Sequence, residues 1–204
     1  MDLNRNAFHA APVQTVVGVA IKEPDARVVD AIRFAAEAHR RQSRKDGRTP
    51  YIVHPVAVLR RLSSDLGVED ADLLCAAVLH DVIEDSTVTR EELELRFGVR
   101  VAGWVQELTV PPGLHGPAVP DEKKTEALVR DVGRMSWEAV LVKLCDRWDN
   151  LRDMANAPWG PKKRENYRSQ TREILRALDR RWASDAPPPA LASVLTRARV
   201  GLET

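Results

Sequence analysis

The feature that most constrains this chain is a helical repeat of apolar residues running from about residue 25 to residue 182. Within residues 24–42, for example, Val28, Ile32 and Ala35 recur at intervals of three or four. This spacing gathers side chains on one face of a helix, whereas a half-buried strand alternates apolar and polar residues. Aromatic residues, which favour strands, make up only 5% of the chain. We therefore predict an all-α, multi-helix bundle.

Capping residues and helix breakers divide this pattern into separate helices. Asp70, Thr89 and Ser136 are suitable N-caps, since their side-chain oxygens can accept from free backbone N–H groups in the first turn. A segment rich in proline and glycine, residues 110–120, can only be a loop. The predicted helices cover residues 24–42, 54–66, 71–84, 90–97, 101–109, 121–134, 136–156 and 162–182.

The length of 204 residues suits a single domain with one core. We expect a variable N-terminal segment at residues 1–24, a helical domain at 25–182 and a C-terminal tail at 183–204. Three consecutive prolines, ending at Pro189, predict a linker into that tail. Too few residues follow position 182 for another folded unit.

The charge balance argues against partners that need a strongly basic surface. Lysine and arginine number 31 against 30 acidic residues, so we expect no DNA, RNA or membrane partner. Neither a membrane-spanning apolar run nor a secretory signal is recognisable, which predicts a cytoplasmic protein. Cys75 and Cys145 lie in apolar helical runs, where reduced, buried thiols are expected.

Four polar residues crowd the end of the third predicted helix. His80 and Glu84 stand one turn apart, as do Asp81 and Asp85 on the neighbouring stripe. They follow the apolar segment 74–78, so they extend a largely buried helix toward the interior, where unpaired charge is unfavourable. A bound cation would remove that penalty.

A second helix carries polar groups beside its apolar stripe: Asp146, Asn150 and Asp153 at positions i, i+4 and i+7. Together with His54, the chain offers two imidazoles and two carboxylates, a mixed donor set that suits a divalent transition metal. Neutral imidazoles and two carboxylates balance the charge of such an ion and leave room for water and a phosphate oxygen. This is what a metal-dependent hydrolase requires, although a His-Asp dipeptide by itself also fits a surface or capping role.

In order and spacing, five segments between residues 25 and 182 resemble the HD-type hydrolase domain of RelA/SpoT homologues. The segments are Ala38-His39, Arg44-Lys45-Asp46-Gly47, Pro50-Tyr51-Ile52-Val53-His54-Pro55, Leu79-His80-Asp81-Val82-Ile83-Glu84-Asp85 and Lys143-Leu144-Cys145-Asp146-Arg147-Trp148-Asp149-Asn150-Leu151-Arg152, with His39 itself expected to be a hydrogen-bonded core histidine. The resemblance implies a stand-alone HD phosphohydrolase with one Mn²⁺, which removes the 3′-pyrophosphate of the alarmones ppGpp and pppGpp to give GDP or GTP.

The resemblance also implies roles for individual residues. The metal ligands would be His54, His80, Asp81 and Asp146. The groups that position or activate water would be Glu84 and Asp85, with Asn150 beside the nucleotide. Substrate contacts would come from Arg44 and Lys45, and the charges of Lys143 and Arg147 make them further phosphate-binding candidates.

Two departures from the family pattern leave alternatives open. The loop after Thr109 differs from the short charged run usual in the family, and Asp149 stands where histidine or an aromatic residue is common. A carboxylate at that position would repel phosphate if it faced the site, or else it pairs with Arg147, Arg152 or another neighbour. Residues 44–47 equally fit a solvated turn.

Two other functions therefore remain open at the level of the sequence. The same metal centre could act on NADPH or another nucleotide, because pocket shape rather than the ligand set selects the substrate. Alternatively, the chain is a non-catalytic module that senses a nucleotide.

Overall fold

The computed structural model describes residues 25–114, 118–154 and 157–203. All regular elements in these ranges are helical, and the only extended pairing they contain is an isolated antiparallel bridge between Ser43 and Pro50. The all-α prediction is confirmed. The helices are α1 (Ala26–Ala38), α2 (Val53–Arg60), α3 (Ala71–Leu79), α4 (Val82–Asp85), α5 (Arg90–Phe97), α6 (Val99–Leu108), α7 (Asp121–Val132), α8 (Trp137–Asp153), α9 (Pro161–Arg181) and α10 (Pro189–Glu203). The predicted N-terminal segment, residues 1–24, lies outside the described residues.

The centre of the bundle is formed by α3 and α8. Helix α3 is apolar almost all round and is buried along its length, with α1, α2 and α6 packed against it. Helix α8 buries its apolar stripe against α2, α6 and α10. Both thiols are free and buried in these two helices, as predicted.

The predicted caps fix where several helices begin. Asp70 accepts hydrogen bonds from the backbone N–H groups of Asp72 and Leu73 at 2.9 and 3.3 Å. Thr89 and Ser136 do the same for α5 and α8 through their hydroxyl oxygens. Each cap supplies an acceptor to a first-turn donor that has no partner within its helix.

The predicted continuous helix over residues 71–84 is wrong. The chain ends α3 at Leu79, turns through His80 and Asp81, and starts the single-turn helix α4 at Val82. The break lets both side chains leave the end of a buried helix together, rather than diverge by about 100° as neighbours on a regular helix do.

The segment expected as a C-terminal tail, residues 183–204, contains a helix in its second part. After the prolines the chain forms α10, which lies along α8 and α9. Leu191, Val194, Leu195 and Ala198 are buried in the main core. These four residues have helical spacing, and contact with α8 gives them the surface against which they are buried.

None of the helices in the residues that the structure describes combines the length and apolar character that a membrane crossing needs.

We predict that Leu191→Ala lowers the free energy of unfolding by about 2–5 kcal/mol, because it leaves a cavity where α10 meets the core. Val200→Ala, on the exposed side of the same helix, is the matched control and should stay within about 0.5 kcal/mol of the wild type. Urea unfolding of the three proteins measures this. Equal stability of both variants would show that α10 does not belong to the core.

Candidate functional site

Two histidines and an aspartate from separate elements meet in the interior. His54 lies in the first turn of α2, while His80 and Asp81 form the break between α3 and α4. Both imidazoles are only 2% exposed. One potential ligand atom from each of the three residues lies within 4.8 Å of the others, an arrangement that could hold a metal ion.

Asp146 completes this cluster from the middle of α8. Its Oδ1 lies 3.1 Å from Nε2 of His54 and 4.0 Å from Nε2 of His80. Across the cluster, Asp81 Oδ2 lies 3.0 Å from Nε2 of His80 and 3.9 Å from Nε2 of His54. The structure thus brings together all four residues proposed from the sequence as metal ligands, with both Nε2 atoms facing the carboxylates.

The hydrogen bonds around His80 leave one ring nitrogen free for a cation. Its Nδ1 donates to the carbonyl oxygen of Ala77 at 2.8 Å, so Nε2 carries the lone pair when the ring is neutral. That Nε2 is fully buried and has no partner with hydrogen-bond geometry in the described part of the chain. An unsatisfied buried nitrogen is unfavourable, and a divalent cation between the imidazoles and carboxylates would satisfy it. The residues therefore fit a metal.

Within the cluster, the opposite charges raise the pKa of His80 and lower the pKa values of Asp81 and Asp146. Burial by itself would lower the pKa of His80, but the negative charges of Asp81 and Asp146 raise it to about 9. The pKa values of both aspartates are held well below the ordinary range despite burial, Asp81 mainly by His80 and Asp146 mainly by His54. Tyr51 adds a hydrogen bond, since its hydroxyl donates to Asp81 Oδ2 at 2.6 Å.

Glu84 and Asp85 follow directly on α4. Glu84 turns toward the segment after α6 and accepts a hydrogen bond from the backbone N–H of Val110 at 3.0 Å. Asp85 is more exposed, and partial desolvation together with the charge of Asp81 raises the pKa of its carboxyl group. Asp85 therefore lies within electrostatic reach of the cluster, and a raised pKa suits a group that takes a proton from water.

Asn150 links the metal cluster to the basic pair that precedes α2. Its Nδ2 donates to Asp146 Oδ1 at 2.5 Å. Its Oδ1 accepts from Lys45 Nζ at 3.0 Å and from an Arg44 guanidinium nitrogen at 3.3 Å. Arg44 is buried and also donates to Asp153 at 2.7 Å. The amide thus connects a candidate metal ligand with two candidate substrate contacts.

Residues 44–47 form an ordered turn as well as part of the site, so the two interpretations of this segment are compatible. Asp46 accepts from the backbone N–H groups of Arg48 and Thr49, each at 2.9 Å, and from the Thr49 hydroxyl. Gly47 has a φ of 70°, which favours glycine. The turn thereby directs Arg44 and Lys45 toward α8.

Lys45 lies over an aromatic ring at the edge of the site. Its Nζ is 4.1 Å from the centre of the Trp159 ring. Desolvation by the surrounding protein and the nearby charge of Arg44 lower the pKa of Lys45 to about 8. The lysine therefore changes charge near neutral pH, which an ordinary lysine does not.

The two remaining basic candidates differ in position. Lys143 lies one turn before Asp146, with its Nζ 3.9 Å from Asp146 Oδ2. Arg147 is instead 3% exposed and packs between α8 and α9, where it donates to the Thr171 hydroxyl and the Tyr167 carbonyl oxygen. These contacts engage its guanidinium group with α9, and its role as a substrate contact stays a prediction.

Asp149 does not face open solvent as a lone carboxylate. Its Oδ2 accepts from His54 Nδ1 at 2.8 Å and its Oδ1 from Arg61 at 2.7 Å. Neither of the arginines named from the sequence, Arg147 and Arg152, is its partner.

His39 is buried and bonds Gln42 at 2.8 Å, as expected of a core histidine.

Sequence reasoning missed several side chains at the site. Tyr51 stands in the motif that ends at His54, so its position was visible but its bond to Asp81 was not. Arg61 and Trp159 lie outside every motif, and no local signal identifies them. Their roles depend on neighbours distant in the chain.

A cavity of about 340 Å³ opens beside His54. Its basic side chains outnumber its acidic ones; Arg60 and Arg152 are exposed there and form no ion pair in the described part of the chain. The lining residues are Arg44, Lys45, Asp46, Thr49, Val53, His54, Ala57, Arg60, Arg61, Asp149, Arg152, Asp153 and Ala157. The cavity suits an anionic small molecule.

Comparisons with known proteins agree with this geometry. The sequence profile of the HD domain matches residues 31–182. The guanosine-3′,5′-bis(diphosphate) 3′-pyrophosphohydrolase MESH1 of Xenopus tropicalis is 37% identical over 157 residues, which are 75% of this chain and 85% of that protein. Its Homo sapiens counterpart is 36% identical over the same shares.

A solved structure is also similar. It is that of a metazoan ortholog of SpoT, described as hydrolysing ppGpp. It superimposes with a TM-score of 0.71 at 30% sequence identity, over 88% of this chain and 98% of that one.

We predict that the purified chain binds one divalent transition-metal ion and that Asp146→Ala weakens binding at least tenfold, because it removes an oxygen donor that faces both histidines. Asp153→Ala is the matched control: it lies two turns along α8 and pairs with Arg44 rather than with the histidines, so its affinity should equal that of the wild type. Titration calorimetry with Mn²⁺ measures both. Equal affinity in Asp146→Ala would contradict this site.

Proposed function

This chain belongs to the HD-domain family and, within it, to the MESH1-like guanosine-3′,5′-bis(diphosphate) 3′-pyrophosphohydrolases, and from that premise we propose that it hydrolyses ppGpp and pppGpp in the cytoplasm. The products are GDP or GTP and pyrophosphate. The observation that carries the proposal is the Asn150 amide, which joins the candidate metal ligand Asp146 to Lys45 and Arg44. The metal cluster can thereby hold a substrate phosphate while Lys45 and Arg44, a short distance away, hold its nucleoside.

The metal in this proposal is Mn²⁺, held by His54, His80, Asp81 and Asp146. Two nitrogen and two oxygen donors suit a borderline divalent ion, and the two carboxylates balance its charge. When bound, the ion supplies charge neutralisation and polarisation at the phosphorus centre. Protonated His80 must release its proton to bind the ion, so binding strengthens as the pH rises toward 9.

Residues of the chain supply the remaining chemistry. Asp85, whose pKa is raised, is the candidate to take a proton from the attacking water, and Glu84 orders the neighbouring loop through Val110. Lys45 and Lys143 carry charge close to the cluster, where negative charge spreads over phosphate oxygens during the reaction. Arg44, fixed by Asp153, presents a planar guanidinium group that can stack on a purine.

The basic cavity supports a substrate that carries phosphate at more than one position. Arg60 and Arg152 lie on its wall in addition to Lys45 and Arg44, which already contact Asn150. Cations beyond that pair favour a nucleotide that carries several phosphates. NADPH also bears phosphates at two places and is the second candidate on the same observation.

The pairing of Asp149 with His54 and Arg61 removes one argument for a non-catalytic sensing module.

We predict that the purified chain with Mn²⁺ converts ppGpp to GDP and pyrophosphate and that Asp81→Ala abolishes this turnover, because the variant lacks a ligand between both histidines. Product identification by chromatography on a panel of ppGpp, pppGpp and NADPH measures it. Turnover of NADPH alone would replace the alarmone by the second candidate. Binding of ppGpp without any product would support the sensing module.

We also predict a pH effect that depends on Lys45. Its pKa of about 8 means that it is charged below pH 8 and loses its attraction for phosphate above that pH. The ratio of kcat/KM between the wild type and Lys45→Arg should therefore fall above pH 8, by up to about tenfold for one pH unit, since arginine stays charged.

Lys163→Arg is the matched control, because Lys163 also lies over the Trp159 ring, at 4.8 Å. The ratio of kcat/KM between the wild type and Lys163→Arg should stay constant from pH 7 to 9. A constant ratio for Lys45→Arg would exclude Lys45 as a charged contact.

A further inference from the structure

Asp149 bridges a candidate metal ligand and a buried arginine. One carboxylate oxygen accepts from His54 Nδ1 at 2.8 Å, and the other accepts from Arg61 at 2.7 Å. The three side chains are only 1%, 13% and 5% exposed for His54, Asp149 and Arg61. The guanidinium group of Arg61 supplies the charge opposite to this buried carboxylate.

Arg61 is held by its hydrogen bond to Asp149 and by stacking, while its Nε and Nη1 are buried without a hydrogen-bond partner in the described residues. It begins a π-helical turn, Arg61–Asp65, that continues α2, and its guanidinium carbon lies 4.1 Å from the centre of the Trp148 ring. Arg197 of α10 lies over the same ring at 5.1 Å. Asp65 is a second, more distant carboxylate, 3.9 Å from the other terminal nitrogen of Arg61. A stacked, buried guanidinium group gives Asp149 little freedom to move.

The direction of the hydrogen bond determines what His54 can offer on its other side. When Nδ1–H donates to Asp149, the lone pair of the neutral ring is on Nε2, which faces Asp81 and Asp146. His80 achieves the same orientation through a neutral backbone carbonyl. A carboxylate partner strengthens an imidazole as a metal donor more than a carbonyl does, because its charge stabilises positive charge on the ring.

We propose that Asp149, anchored by Arg61, is a positioning residue that orients His54 and strengthens its Nε2 as a ligand of the divalent cation. The proposal rests on the metal site of the proposed function but not on its substrate. It also accounts for a carboxylate at a position where it would otherwise repel phosphate. Asp149 lines the cavity, but both of its oxygens are engaged, one by His54 and the other by Arg61, so its charge acts through these two residues.

The test measures Mn²⁺ affinity in the complete chain, by electron paramagnetic resonance of free Mn²⁺ and by calorimetry. Asp149→Ala should weaken binding about 10- to 100-fold, the usual effect of removing the outer partner of a ligating histidine. Asp149→Asn keeps an oxygen that accepts from Nδ1–H but loses the charge, so its affinity should lie between those of Asp149→Ala and the wild type. Asp65→Asn, which removes the other carboxylate near Arg61, should bind Mn²⁺ like the wild type.

Thermal unfolding without metal separates positioning from a purely structural role. A lowered melting temperature with unchanged Mn²⁺ affinity in Asp149→Ala would overturn the proposal, since the ion pair would then only stabilise the fold. If Asp149→Ala does not fold, Asp149→Asn decides: wild-type affinity overturns the proposal, and weaker binding supports it.

The substrate assay is read separately. A wild type that binds Mn²⁺ but leaves ppGpp intact would reject the proposed function, while the affinities of the variants would still decide the role of Asp149. Hydrolysis of ppGpp with equal Mn²⁺ affinity in every variant would reject only the positioning role.

Discussion

The whole architecture depends on the placement of ionisable groups inside an apolar bundle. His54, His80, Asp81 and Asp146 meet where α2, α3 and α8 converge, and their charges have little access to water. Such a cluster is unfavourable unless each group has a partner, and a cation bound among these donors would satisfy the Nε2 of His80, which lies 3.0 Å from Asp81 without hydrogen-bond geometry. Tyr51 and Asn150 add hydrogen bonds to the carboxylates of Asp81 and Asp146.

The fold supports this cluster by giving each ligand a different kind of anchor. Helix α3 must end at Leu79 so that His80 and Asp81 leave its end together, while Asp146 projects from the middle of the rigid helix α8. Helix α10 covers α8 from outside and places Arg197 over Trp148, the ring on which Arg61 stacks. Helix α10, which lies beyond the region matched by the HD-domain profile, is thus connected with the cluster through Trp148, whose ring contacts both Arg197 and Arg61.

Much of the site could be predicted from the sequence because its residues occur in short motifs. The pairs His80-Asp81 and Glu84-Asp85 and the run from Lys143 to Arg152 carry their spacing in the chain itself. In other cases spacing was not enough. Arg147 lies within a motif but points to α9, because a helix presents neighbouring residues to different sides. In α10, Leu191, Val194, Leu195 and Ala198 have helical spacing, but that spacing does not indicate that they cover α8.

By itself the sequence determined the helical class, the caps that begin α3, α5 and α8, and the candidate ligands, since these follow from local spacing and side-chain chemistry. Only the tertiary structure decided which partners those ligands have. Asp149 is separated from His54 by 95 residues and from Arg61 by 88, and no local pattern records a contact across such distances. Hydrogen bonds reach only about 3 Å, so partners that are remote in the chain become known only when packing brings them together.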